Sequence, residues 1–270
     1  METRELKSWN EFAKEIGNLR TKYGTCELAG TEVRNRILYR GHSDSEWPLT
    51  TTLERFSTTN WSILLYLHAA HNCKPELESY LDRSWSIPDW PELQQSLPQH
   101  LKASHVSLPH YDYLVFLRHH GFPSPLLDWS ESPYIAAFFA FEERISAERA
   151  AIYAYIETPT GGKGGTVGSP QITVQGPYVR THKRHFLQQA WYTIATEIRS
   201  GEYFFVSHES VFRKARTDQD VLVKLTIPRS ERAEVLRALY GYNITRFSLF
   251  QTNEALVRTL AYKEIEAQDL

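Results

Sequence analysis

Cysteine, long apolar runs and net charge are all scarce in this chain. Only Cys26 and Cys73 occur in 270 residues, too few and too isolated for a disulfide framework or a cysteine-rich zinc site, and in keeping with a reducing compartment. No apolar run approaches the ~20 residues of a membrane span, and the polar start Met1-Glu2-Thr3-Arg4-Glu5 is no signal peptide. The expected setting is cytoplasmic, with no membrane partner. Thirty basic side chains against 32 acidic ones leave a formal charge of −2, so no global field draws in a polyanion and any nucleic acid must be held by a local patch. No internal repeat and no clear linker divides the sequence.

Apolar residues make up 41% of the chain and aromatic ones 13%, enough for a large core. Trp9, Phe12, Ile16 and Leu19 recur at helical spacing. A strand is predicted over 36–40, ended by Gly41. Helices are predicted from Trp61 to about Trp85 with a break at Pro75, from Trp90 to Leu101, and from Tyr111 to His120 with Gly121 closing the last. The second half differs: 151–156, 203–206 and 221–227 are rich in aromatic and β-branched residues and read as strands, with helices near 183–189, 230–240 and 253–263. The fold class is α+β, a mainly helical first half with one early strand and a mixed second half.

The densest chemistry lies in His119-His120-Gly121-Phe122-Pro123-Ser124-Pro125-Leu126-Leu127-Asp128-Trp129-Ser130-Glu131-Ser132-Pro133, ahead of an apolar helix over 134–141. Three prolines stiffen a connection that carries two imidazoles, two carboxylates and an indole, a usual way of building a site. A bland alternative is a tight helix junction in which Ser130 or Ser132 caps the helix starting near Pro133. Capping accounts for one hydroxyl and leaves Asp128, Trp129, Glu131 and the histidines unexplained.

A second polar cluster runs from Tyr39-Arg40-Gly41-His42 to Trp47-Pro48-Leu49. An arginine at a strand end beside glycine can grip a phosphate or carboxylate with two parallel hydrogen bonds, or form an ordinary surface salt bridge. Basic residues gather at Arg180, His182, Lys183, Arg184 and His185, and at Arg213, Lys214 and Arg216, as nucleic-acid contacts or as solvated faces. Gly161-Gly162-Lys163-Gly164-Gly165-Thr166 has the wrong spacing for a phosphate loop; it reads as a mobile surface loop, or as a lid over a ligand.

The Tyr39-Arg40-Gly41 tripeptide with Trp47-Pro48-Leu49, the 119–141 stretch, Arg184 with Gln188 and Gln189 ahead of Trp191-Tyr192-Thr193, and the ending Thr245-Arg246-Phe247-Ser248-Leu249-Phe250 together resemble the FRG domain, named for its Phe/Tyr-Arg-Gly motif. The resemblance spans 36–260, which implies one FRG-type domain over 1–270 with residues 1–35 as a helical extension. The order of motifs is also similar, more faintly, to ADP-ribosyltransferases of the arginine-serine-glutamate kind, and implies their split sheet. In that superfamily an arginine on the first strand binds NAD, a serine-bearing strand leads into a helix, and a later acidic residue acts on the ribose.

The resemblance implies NAD as cofactor and a macromolecular acceptor, RNA, DNA or protein, in a toxin or phage-defence effector that would answer to an inhibitory antitoxin protein. Cleavage at the ribose passes through an oxocarbenium-like cation, helped by arginine on the diphosphate, an aromatic on the nicotinamide and an oxygen near the developing charge. Arg40, Asp128, Glu131 and Gln188 are the catalytic candidates. Tyr39, Arg40, Gly41, His42, His119, Trp129, Ser130 and Ser132 are the cofactor-binding ones, and Lys183, Arg184, Arg213 and Arg216 would meet nucleic acid. His120 is a second imidazole that could orient a ribose hydroxyl. No acidic residue fills the third role cleanly: Gln188 and Gln189 stand where FRG has glutamine, and Glu197, Glu202 and Glu209 lie beyond. A noncatalytic sensor of nucleotide or RNA accounts for the same arginine and aromatics. A nuclease is a third option, weakened because Asp44, Glu46, Asp128 and Glu131 lack compact metal-ligand spacing; no metal is expected.

Overall fold

A computed structural model describes residues 1–102, 105–164, 168–176, 183–214 and 218–268. The described chain opens with β1 (Glu2–Glu5) and α1 (Trp9–Tyr23), then the hairpin β2 (Thr25–Leu28) and β3 (Thr31–Arg34), then β4 (Leu38–His42). Helices α2 (Thr52–Phe56), α3 (Ile63–Asn72), α4 (Lys74–Leu81) and α5 (Trp90–Ser96) follow, and a short ribbon of β5 (Leu101–Lys102) and β6 (His105–Val106) precedes α6 (Tyr111–His119). Next come β7 (Leu127–Ser130), α7 (Pro133–Phe141), β8 (Arg149–Ile156), β9 (Gln171–Gln175) and α8 (Lys183–Leu187). The chain continues through β10 (Ala190–Arg199), β11 (Glu202–Phe205), α9 (His208–Lys214) and β12 (Val221–Pro228) to α10 (Arg232–Gly241), α11 (Arg246–Phe250) and α12 (Asn253–Glu264). The fold is α+β.

One mixed sheet runs β1-β12-β8-β4-β7-β10. β7 and β11 share one edge of β10, pairing Ala190–Thr193 and Thr196–Arg199, while β9 pairs the other edge over Tyr192–Thr196. Alternation sorts the side chains. Tyr39, Ile152, Ala154, Val223 and Leu225 face a core built with α1, α7 and α10, whereas Leu126, Ala190, Tyr192 and Ile194 face one built with α3 and α6. Tyr39 pairs with Ser130, and Ser130 with Ala190, so these two cores lie on the same face of the sheet. Leu38, Trp129, Tyr153, Tyr155, Trp191, Val211 and Phe212 cover the opposite face.

The sequence reading holds for most helices; the differences cluster in the strands. The early strand is shifted two residues, and Gly41 sits inside it rather than ending it. The reason is packing: a Cβ on Gly41 would fall 1.9 Å from the Ala136 carbonyl oxygen and 2.7 Å from the Ala140 nitrogen, so α7 crosses β4 where only glycine admits it. Residues 127–130, read as part of a helix junction, form a central strand with Leu127 and Trp129 on one face and Asp128 and Ser130 on the other. Residues 2–5, too polar to read as a strand, pair in parallel with Val223–Thr226.

The glycine-rich segment is tethered through its described part. Lys163 Nζ reaches the buried Asp220 carboxylate at 2.6 Å and the Ile172 carbonyl at 2.5 Å, and Gly164 donates to the Gln219 side chain. Gly161 packs beside Glu27 and Cys26, so this part flanks the β2–β3 hairpin and does not cover the cleft described next; Gly165 and Thr166 lie outside the described residues.

Candidate functional site

β4 and β7 are neighbours through a single pair, Tyr39 with Ser130. Continuing that register would set Gly41 opposite Asp128, but no such pair forms. The Arg40 guanidinium occupies the gap: Nη1 donates to the Asp128 main-chain oxygen at 2.9 Å and lies 3.9 Å from its Oδ2, while Nε donates to His42 Nε2 at 3.0 Å. Arg40 Nη2 makes no hydrogen bond among the described residues. Burial depresses the guanidinium to about 10, partly offset by Asp128, which leaves it charged at neutral pH. His42 Nδ1 lies 3.3 Å from the Trp47 carbonyl. Desolvation and the Arg40 charge push the imidazole down to about 3, so it is neutral, with Nδ1–H donating to Trp47 and Nε2 accepting from Arg40.

Above the opening lies a cleft of about 390 Å³ between the two helical cores. Its floor is Tyr39, Gly41, Asp128, Ser130, Ala190 and Tyr192; Ala136 and Phe139 of α7 form one wall, with Phe250. Thr52, Arg118 and His119 line the other wall, and Arg184 and Gln188 come from α8 and the turn after it. Arg118 grips Asp128 with two nitrogens, Nε to Oδ1 at 2.5 Å and Nη2 to Oδ2, and donates to Thr52 Oγ1 at 3.2 Å through Nη1. Desolvation alone would raise the Asp128 carboxyl; the Arg118 charge and hydrogen bonds, with Arg40, outweigh it and hold the group below the usual carboxylate range. The Asp128 side chain is 45% exposed, so the bound carboxylate still presents itself to the cleft. His119 Nε2 lies 3.1 Å from the Tyr192 hydroxyl, a phenol pushed well up by burial and by Asp128.

Of the residues nominated from sequence, Tyr39, Arg40, Gly41, His119, Asp128, Trp129, Ser130, Arg184 and Gln188 meet at this cleft. Several have other roles than the one expected. Tyr39 is 2% exposed and packs in the core. Trp129 contributes main chain only to the floor; its indole is buried on the far face, donating to Thr193 Oγ1 at 2.8 Å, and cannot stack on a ligand in the cleft. Ser132 is the N-cap of α7, accepting from Ile135 N, and the Ser130 hydroxyl bridges the Ser132 amide and the Gln188 carbonyl. Glu131 is outside the cleft: its carboxylate pairs with Arg36 at 2.7 Å, and that guanidinium lies 3.7 Å over the Trp191 ring. His42 holds Arg40 from behind and does not line the cleft. His120 is exposed against Phe116.

The two basic clusters do not form one patch. The His185 ring of α8 stacks on Tyr192, whereas α9 sends Val211 and Phe212 to the face carrying Trp129 and Trp191. Lys183 and Arg184 therefore stand on the cleft side, with Arg213 on the reverse, paired to Glu209 at 3.3 Å. Arg216 lies outside the described residues, as do Arg180 and His182. Arg118, Tyr192, Phe139 and Phe250 were not nominated from sequence. Arg118 occupies the last turn of α6, where a C-terminal charge interaction is the obvious local reading; only the tertiary pairing with Asp128 reveals it. Among the described residues no group of three or more His, Cys, Asp and Glu is placed to hold a metal ion, and no helix is long and apolar enough to cross a membrane.

Three arginines and one carboxylate thus line a cleft over an opening in the mixed sheet of an α+β fold. Residues 35–149, which include β4, α6, β7 and α7, match the family model of the FRG domain. No curated protein and no solved structure matches the chain.

Proposed function

We propose that the cleft binds NAD and that the protein is an ADP-ribosyltransferase modifying a macromolecule. The observation that carries this reading is Arg40: a buried, charged guanidinium held on Nε and Nη1, with Nη2 left unbonded among the described residues at a cleft it shares with Arg118 and Arg184. A diphosphate supplies the acceptors such a group lacks. The order of parts supports the same reading, with the arginine strand β4 beside the serine-bearing β7, β7 running into α7, and Gln188 at the entrance to β10. Gln188 Nε2 is tied to the Leu249 carbonyl at 3.2 Å, which orients its amide oxygen, free of hydrogen bonds among the described residues. That oxygen and the ionised Asp128 are the groups offered to positive charge developing at a ribose carbon. The aromatic side chains of the cleft wall are Phe139 and Phe250, whose ring centroids lie 6.1 Å apart edge to face.

A second reading rests on a separate observation. Arg118 engages the one carboxylate in the described lining, and Glu131, the other nominated acid, is withdrawn by Arg36. This arrangement suits a module that binds a nucleotide without turning it over.

Nicotinamide release and transfer of labelled ADP-ribose from NAD, with RNA, DNA or lysate as acceptor, separate the two. Turnover that disappears in a correctly folded Arg40→Ala variant is expected. NAD binding without release of nicotinamide would overturn the enzyme reading in favour of the sensor.

A further inference from the structure

Two of the most exposed aromatic side chains stand on the two helices that flank the Arg40 cleft. Phe56 is 78% exposed and Phe186 is 83% exposed. Phe56 lies one turn beyond Thr52 on the same face of α2, and Thr52 lines the cleft. Phe186 lies on α8 between the cleft residues Arg184 and Gln188, turned to the outer side of that wall. A single exposed phenylalanine is ordinary. Here each is accompanied by a cation: Arg55 precedes Phe56, and the exposed Lys183 is the i−3 neighbour of Phe186. The Arg55 charge is close enough to act on both Arg40 and His42.

Base faces and a phosphodiester backbone match this pattern. An aromatic ring stacks a base of any sequence, a neighbouring cation takes a phosphate, and the arginines between the two walls continue the positive track. Duplex nucleic acid, its bases stacked inside, cannot use the rings.

We infer that the acceptor is single-stranded nucleic acid, lying across the cleft mouth with bases on Phe56 and Phe186 and phosphates near Arg55 and Lys183. The inference rests on the transferase reading for the word acceptor; the binding surface itself does not depend on it.

The test is equilibrium binding of short, labelled, mixed-sequence single-stranded RNA and DNA to the intact protein without NAD, over a range of salt, alongside a duplex of the same sequence. Single strands of one or both kinds are expected to bind more tightly than the duplex. Affinity is expected to fall as salt rises, and by roughly tenfold in each of Phe56→Ala and Phe186→Ala, the loss of one base stack. Both rings are exposed, so both variants fold; Arg213→Ala, on the reverse face, is expected to bind as the parent does. No strand binding, equal binding by the phenylalanine variants, or label entering only protein would overturn the inference. Nicotinamide release by the unaltered chain, measured in parallel, reports separately on the transferase reading.

Discussion

Arg118 grips both carboxylate oxygens of Asp128, ten residues further along the chain. The pair joins the end of α6 to a central strand and holds an ionised carboxylate on the floor of the cleft. Arg118→Leu is expected to destabilise the protein by roughly 1–2 kcal/mol, below the value for a fully buried pair because Asp128 is 45% exposed. The Asp128 carboxyl is depressed in the folded state, so its contribution is present above the ordinary aspartate range and lost as pH falls through the folded value. Urea unfolding from neutral to acid pH is expected to show that loss in the parent and not in the variant.

Arg40→Lys keeps the charge but cannot span His42 Nε2 and the Asp128 carbonyl together. NAD affinity, read by calorimetry, is expected to drop at least tenfold, with the melting temperature changed far less. An unchanged affinity would show that charge alone suffices and that the geometry of the fork is irrelevant.

His42 and His208 are buried imidazoles pushed down to about 3, chiefly by desolvation and then by the Arg40 charge. Their folded values lie below the unfolded value near 6.5, so the unfolded chain takes up protons first as pH falls. Stability is expected to decline from about pH 6.5 downward, by up to roughly 1.4 kcal/mol per pH unit for each histidine. A slope unchanged in the double variant His42→Gln, His208→Gln would assign the decline to other groups.

Gly41→Ala places a methyl group against the α7 backbone, which has no flexible side chain to yield. A loss of several kcal/mol or failure to fold is expected, far above the ordinary Gly→Ala effect of about 1 kcal/mol. A soluble variant with the parental melting temperature would mean that α7 can lift from β4.

Glu131→Gln is expected to leave nicotinamide release within about twofold of the parent and to cost less than roughly 1 kcal/mol, because this carboxylate serves a partly exposed pair with Arg36. Asp128→Asn, by contrast, is expected to abolish release. Equal losses in the two variants would contradict the separation of the two acids.

Much of this is legible in the amino-acid sequence. The apolar spacing of Trp9, Phe12, Ile16 and Leu19 gives a helix buried through those four residues, and Ser132 caps α7 where a hydroxyl before proline should. Arg40 stands out at a strand end beside Gly41, and Asp128 as a carboxylate that helix capping leaves unexplained in a proline-stiffened segment. The rest depended on relations a single sequence does not carry. Four residues, Leu127 to Ser130, are too short to show period-two alternation against their proline-rich flank. The placement of Lys183 and Arg213 on opposite faces follows from the odd and even positions of β10 to which α9 and α8 attach. Trp129 was the natural stacking platform by residue type, yet one step of strand parity turns it away from the cleft.

The lone Tyr39–Ser130 bridge makes the sheet two plates joined at a suture. Arg40, the side chain offered to a diphosphate in the proposed reading, also laces that suture: its Nη1, together with Arg118, holds Asp128. On that reading a phosphate taken by Nη2 would load the very side chain that stitches the two plates together, coupling recognition to how firmly they are held.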